Sequence, residues 1–369
     1  MTTANLDPQG TLPLPAPGLI GLHRVREPGE PPVGLVCLDR NERQRPLPAW
    51  FMQHLHDRIQ SSLLTSYPIA DDLYRELSVY TQLAPQQLLL TAGSDAAIKA
   101  IYQAYVRPSD RIVILDPSYA MYPVYAQMFQ AEVVRVPFDA ALELDAMRLL
   151  ASIVPGVRLV MLANPNQPTA TLLPESLLIE VAERAGRAGA LLAIDEAYYP
   201  FSRTTVLPYL ERFPHLLLVR TFSKAAGMAG LRIGFAAGHP EVIANLFKVR
   251  SVHDINSVAI ELARLALTYP EVIDEYVAEV EAGGRLLTER AQALGLKPLP
   301  TCTNFMLIRV PPDVQLATLI ARLRTHGYLV KGPFDAPCLA DCIRVTLGPP
   351  ELMAAFADAL TAALEGKTS

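Results

Sequence analysis

At 369 residues the chain is longer than one compact core usually holds, so two units sharing an interface are expected. It is 51% apolar and 19% charged, with a mean hydropathy of +0.22, which excludes an intrinsically disordered chain. With 32 basic against 37 acidic residues, a net charge of −5 and no Lys/Arg run, it lacks the footprint of a nucleic-acid binder, and no apolar stretch nears the ~20 residues that cross a bilayer.

The first predicted feature is an N-terminal arm over residues 1–40. From Pro8 to Pro32 it is Pro-rich, with neither helical nor strand period, and it reads as an extended segment of the kind that contacts a second subunit. No basic segment followed by a continuous apolar one opens the chain, so no secretory signal is visible and a cytoplasmic location is expected. From about Leu88 short apolar β-type runs alternate with helical periods: residues 111–115, 132–137, 158–162, 190–194, 216–220 and 232–236. That alternation predicts an α/β fold, a mostly parallel sheet wrapped by helices. A long charged amphipathic helix over 270–290 then leads to a strand at 304–310, a helix at 314–325, a strand at 342–347 and a last helix at 350–364. These form a smaller α+β unit. The expected division is an arm over 1–40, a large unit over 41–265 and a small unit over 266–369, with some of the small unit beginning near 41–55. Cys37, Cys302, Cys338 and Cys342 are too scattered for a disulfide framework, and Cys338/Cys342 have no further ligand nearby, so reduced thiols and no metal are expected.

Ligands of open α/β sheets sit at the carboxyl ends of the strands, so the loops that follow strands should carry the chemistry. No G-x-G-x-x-G follows a strand and no P-loop motif occurs, which removes the usual dinucleotide and nucleotide readings. Ala92-Gly93-Ser94-Asp95 opens a helix, a small-residue turn whose backbone N–H groups can hold a phosphate. Asp195 ends the run 190–194 and Tyr198 follows three residues later. Lys224 closes the run 216–220 after Thr221-Phe222-Ser223, in a chain with only six lysines against 26 arginines. A lysine at a strand end, a phosphate cradle, a carboxylate and a phenol together point to pyridoxal phosphate: covalent anchor, phosphate site, ring-nitrogen partner and ring-hydroxyl donor. Tyr122 and Tyr125 follow Tyr119 at helical spacing and read as packing.

These residues resemble the fold-type I, class I/II aminotransferases, and most of all the histidinol-phosphate aminotransferases, from about Leu38 to Leu347. The matching stretches are Leu38-Asp39-Arg40-Asn41-Glu42, Ser66-Tyr67-Pro68, Ala92 to Asp95, Asp116-Pro117-Ser118-Tyr119, Asn164 to Thr169, Asp195 to Tyr198, Thr221 to Lys224 with Gly230-Leu231-Arg232, and Ile343-Arg344-Val345-Thr346. The resemblance implies that the sheet is of the seven-stranded type and that Lys224 carries the Schiff base and shuttles the proton at the substrate's α-carbon. It implies that Ser94, Asp95, Ser223 and Arg232 hold the phosphate, Tyr119 stacks on the ring, Asp195 meets its nitrogen, and Tyr198 and Gln167 meet its hydroxyl. Tyr67 would reach the neighbouring subunit's cofactor, which implies a homodimer. Arg344 would bind the carboxylate of an amino donor or a 2-oxo acid acceptor, with Lys331, Asn41 and Arg24 as further substrate contacts.

Three features depart from the family pattern. Gln167 stands where the family has Asn and Ala170 where it has Gly; the amide is kept on a longer stem and the turn loses its permissive residue. The segment Leu22-His23-Arg24-Val25-Arg26 lacks the substrate-binding Tyr of histidinol-phosphate enzymes. Lys331 replaces an Arg, keeping the charge without the fork. The expected reaction is transamination of an amino acid or amino alcohol phosphate against a 2-oxo acid. A decarboxylase or lyase of the same fold, such as a phosphothreonine decarboxylase, is the alternative, because the bond that breaks depends on substrate pose.

Overall fold

The structure, a computed structural model, describes residues 14–22 and 33–366. Its strands in chain order are β1 (Val36–Cys37), β2 (Leu88–Thr91), β3 (Arg111–Asp116), β4 (Glu132–Pro137), β5 (Val157–Ala163), β6 (Leu191–Asp195), β7 (Leu216–Thr221), β8 (Gly234–Gly238), β9 (Lys297–Pro298), β10 (Phe305–Arg309), β11 (Tyr328–Leu329) and β12 (Cys342–Thr346). Seven of them form the central sheet in the order β2-β8-β7-β6-β5-β3-β4, parallel throughout except for β8.

The apolar runs that lack alternation are explained by burial on both faces. Because side chains alternate along a strand, Val160, Leu162, Leu192, Ile194 and Leu218 enter one apolar core, while Leu159, Met161, Leu191, Ala193 and Leu217 enter another on the opposite face. Chain order runs outward from β3 to β4, then returns past β3 through β5, β6 and β7. The reversal between β3 and β5 opens the crevice in which such sheets bind ligands.

A third core gathers around Tyr276, Phe305 and Phe356, where β12, β10 and β9 form an antiparallel sheet against the helices Glu271–Ala293, Leu316–Thr325 and Pro350–Glu365. The N-terminal strand belongs to this unit: β1 pairs in parallel with β11, and Leu38 is buried in the same core. The expectation that the small unit begins near 41–55 is corrected here. The helix Ala49–Arg58 turns Phe51 and Leu55 into the large-sheet core instead, so the crossing lies in the segment between Leu38 and that helix.

Two further expectations change. The strand placed at 232–236 is shifted to Gly234–Gly238, because Arg232 takes a left-handed backbone (φ 54°) that no ladder accepts. The arm is not extended throughout. Pro17–Leu19 form a 3-10 turn against the helix Met121–Met128, packed so closely that a Cβ on Gly18 would lie 2.3 Å from the Met128 carbonyl oxygen.

Candidate active site

A cavity of about 230 Å³ opens where the carboxyl ends of β5, β6 and β7 meet the helix after β2, the loop after β3, the segment after β1 and the strand β12. Eleven of the residues singled out from sequence line it: Asn41, Ser94, Asp95, Tyr119, Gln167, Asp195, Tyr198, Ser223, Lys224, Arg232 and Arg344.

One end is built for a dianion. Ser94 opens the helix Ser94–Tyr105, whose first N–H groups have no partners within the helix. Gly93 precedes it at φ 79°, and a Cβ there would lie 2.9 Å from Arg232 Nη2, so only glycine lets the guanidinium approach the turn. Arg232 Nη1 donates to Ser223 Oγ (3.4 Å) and to the Ala229 carbonyl (3.1 Å), and Thr221 Oγ1 donates to Ser223 Oγ (2.9 Å).

Asp195, the last residue of β6, accepts from Tyr122 Oη (3.0 Å) and from the Ala197 backbone N–H (3.1 Å). Burial pushes its carboxyl up to about 6, and these two hydrogen bonds pull the other way. Across the cavity Lys224 Nζ donates to the Asn41 carbonyl (3.2 Å). Burial, assisted by the nearby Arg344 charge, lowers its ammonium to about 8. Tyr198 Oη accepts from Asn41 Nδ2 (2.9 Å), and burial raises this phenol to about 12. Tyr119 packs edge-on against Tyr122 with ring centroids 5.4 Å apart.

Arg344 is buried on β12, its Nη2 donating to the Asp39 carbonyl (2.7 Å) and its Cζ 5.4 Å from the Phe305 ring centre. Its Nε and the Oδ1 of Asn41 are buried without hydrogen-bond partners among the described residues, two polar atoms that a ligand or water could satisfy. The loop after β5 explains its own sequence. Asn166 is consumed by the turn, donating to Thr169 Oγ1 (2.9 Å) and the Pro117 carbonyl (3.0 Å) and accepting from Ser118 Oγ (2.7 Å), which leaves Gln167 as the amide that faces the cavity. Ala170 adopts φ 61°, at a cost of about 1 kcal/mol that glycine would avoid.

Two of the described sequence-selected residues are not in the cavity, and a third falls outside the described residues. Tyr67 is 78% exposed and stacks on His253 with ring centroids 4.5 Å apart. Lys331, expected beside Arg344 in the substrate pocket, is corrected: its backbone bridges Arg344 at the sheet edge while its side chain is exposed and does not line the cavity. Arg24 lies outside the described residues.

The reading of Tyr122 and Tyr125 as packing holds, since both rings lie in an apolar core, but it is incomplete. Both are buried, and their hydroxyls hold the cavity's carboxylates: Tyr122 on Asp195, and Tyr125 on Asp95 Oδ2 at 2.8 Å. The available signal was a row of phenols three apart directly after a strand-end loop, since a buried tyrosine hydroxyl needs a partner. Arg40, also overlooked, lines the cavity next to Asn41.

A model of the family described as aminotransferase class I and II matches residues 38–360. Over 343 residues the chain is 36% identical to histidinol-phosphate aminotransferase 1 of Ralstonia nicotianae, spanning 90% of each protein. It shares its fold, at TM-score 0.82 and 24% identity over 99% of both chains, with the histidinol-phosphate aminotransferase of Sinorhizobium meliloti solved in complex with pyridoxal-5'-phosphate. L-threonine-O-3-phosphate decarboxylase of Porphyromonas gingivalis matches with TM-score 0.76 at 23% identity, covering 90% of this chain and 100% of that one.

Proposed function

The chain belongs to the aminotransferase class I and II family, and we propose that it moves an amino group between an amino acid or amino alcohol phosphate and a 2-oxo acid, in the manner of the histidinol-phosphate aminotransferases it resembles. Its fold is the type I fold of pyridoxal-phosphate enzymes and its cofactor is pyridoxal phosphate. The decarboxylase alternative has support from fold alone, at 23% identity, whereas the relative at 36% is named as an aminotransferase.

The residues present fit that cofactor. A dianion has the helix N-terminus, Ser94, Ser223 and Arg232; a ring nitrogen has Asp195; a ring hydroxyl has Tyr198 and the Gln167 amide; the unpartnered Arg344 Nε and Asn41 Oδ1 await a ligand. When bound, pyridoxal phosphate supplies a carbonyl that condenses with amines and a protonated ring that withdraws electrons from the substrate's α-carbon.

The chain's own residues do the rest. Lys224 is the covalent anchor, and once free its amine takes and returns the α-proton; an ammonium lowered to about 8 gives up its proton near neutral pH far more readily than an ordinary lysine. Asp195 stays charged at neutral pH because Tyr122 and the Ala197 N–H donate to it, and so keeps a ring nitrogen protonated. Tyr119 forms one wall against the ring. Arg344, held in place by the Asp39 carbonyl, presents its remaining N–H groups to a carboxylate. Tyr67, exposed and braced by His253, serves the neighbouring subunit of a homodimer. A large and a small unit are supported by the separate apolar cores, with Ala266 and Val272 still in the large core beyond the expected 41–265 and Leu38 in the small one beside 266–369, and a cytoplasmic setting is supported by the four free cysteines.

The observation that carries this reading is a half-buried lysine that shares one cavity with Asp195, Tyr198, Arg232 and Arg344. Borohydride reduction of the protein loaded with pyridoxal phosphate, followed by peptide mapping, should place the label on Lys224. In a separate, unreduced sample of the loaded protein, L-glutamate should bleach the cofactor's visible band and 2-oxoglutarate restore it. A label on another lysine would overturn the anchor assignment, and carbon dioxide release without that bleaching would favour the decarboxylase.

A further inference from the structure

The charged groups of the cavity are four cations, Arg40, Lys224, Arg232 and Arg344, against two carboxylates, Asp95 and Asp195. All but one have a protein partner. Asp95 accepts from Tyr125, Asp195 from Tyr122, Lys224 donates to the Asn41 carbonyl, Arg232 to Ser223, and Arg344 to the Asp39 carbonyl. Arg40 is half-buried yet makes no hydrogen bond or ion pair with any described residue.

Resting on the function proposed above, the charges can be matched one by one. Arg232 and the helix N-terminus meet the cofactor's phosphate, Asp195 meets its ring nitrogen, and Arg344 meets the substrate carboxylate. Arg40 remains as the one guanidinium of the lining without a match; the carboxylates of Asp39 and Glu42 lie outside the lining, where their charges act on Arg344 and Lys224, and neither bonds Arg40. Its position is not free to drift, because the preceding residue, Asp39, is fixed by Arg344 and the following one, Asn41, by Tyr198 and Thr346. A half-buried guanidinium that no described residue pairs, lining the same cavity as Arg344, is free to take an anion from a ligand.

We propose that Arg40 recognises an anionic group at the end of the substrate far from the amino-bearing carbon, a carboxylate or a phosphate, which is a second anion wherever the substrate also carries an α-carboxylate for Arg344. The planar fork of Arg40 suits either group, and the two sources separate by experiment.

The test is binding of unreactive acids to the protein loaded with pyridoxal phosphate, followed through the cofactor's visible absorbance. Glutarate and 3-phosphonopropionate carry two anions, and butanoate carries one. The wild type should bind at least one of the first two about ten-fold or more tightly than butanoate, and the tighter of the two names the source. Arg40→Ala should weaken that acid by about ten-fold or more while moving butanoate less than about two-fold, and Arg40→Lys should recover part of the loss. Arg40→Met keeps the stem and guards against a packing effect; it should behave as Arg40→Ala does. Equal weakening of both kinds of acid, or no weakening at all, overturns the proposal. A wild type that takes up no pyridoxal phosphate overturns the function beneath it, and is seen before any acid is added.

Discussion

Asp195 is pulled in two directions. Burial favours the neutral acid and raises its pKa from the ordinary 3.8 to about 6, while Tyr122 Oη at 3.0 Å and the Ala197 N–H favour the carboxylate. Between those two pH values the folded cofactor-free protein binds a proton that the unfolded chain has released, so stability falls as pH rises through that window. Tyr122 is fully buried and its own phenol is pushed well up, so it remains a neutral donor throughout. The other charged or titratable groups around Asp195 are Asp95, Glu196, Lys224, Tyr119 and Tyr198, and none of them donates to it in place of Tyr122. Removing the hydroxyl therefore harms the charged form most. Tyr122→Phe should cost about 1–2 kcal/mol more at pH 8 than at pH 4.5 in denaturant unfolding of the cofactor-free protein. A cost independent of pH would uncouple the hydroxyl from the charge on Asp195.

The strand ends that carry Asp195 and Lys224 are tied together just behind the cavity. Glu196 and Arg220 are 1% and 5% exposed and pair at 2.9 Å, Glu196 also accepts from Thr205 Oγ1 and the Val206 N–H, and Arg220 lies 3.5 Å from the Tyr199 ring centre. The Glu196 N–H bonds the Val219 carbonyl, so β6 and β7 are joined by backbone and side chain at the same level. Removing one partner strands a buried charge. Glu196→Ala should lose about 3–5 kcal/mol in equilibrium unfolding, whereas the double replacement Glu196→Leu with Arg220→Met should lose much less. If the double variant is as damaged as the single one, packing rather than charge is what the pair provides. The strands themselves were readable from apolar runs without alternation, since a strand covered on both faces needs apolar residues throughout. The helix Met121–Met128 was read as packing, because spacing alone shows that three phenols share a face and not what lies opposite their hydroxyls.

At the scale of the whole molecule, the cavity is closed by contacts between distant parts of the chain: Asn41 reaches Tyr198 and Arg344 reaches the Asp39 carbonyl. Pairing of β1 with β11 makes this possible, because it draws the N-terminal segment into the small unit and lays Arg40 and Asn41 across the mouth of the large one. Tyr67 stands apart, outside its own cavity. If it serves the neighbouring subunit, mixing Tyr67→Phe with Lys224→Ala subunits should yield more activity than either variant alone, since each hybrid dimer then contains one intact site; no gain would place Tyr67 in its own subunit's chemistry or in none. The sequence by itself determined the layered α/β plan and the choice of Lys224, Asp195 and Arg232, because strand-end loops and residue type are local properties. Only the tertiary structure decided which polar side chains meet: that Asn166 builds the turn while Gln167 faces the cavity, that Lys331 points to solvent, that Tyr122 holds Asp195, and that Arg40, unpaired, lines the same cavity as Arg344. Hydrogen-bond partners and burial are set by how separate segments pack against one another, and that information lies in no single stretch of the chain.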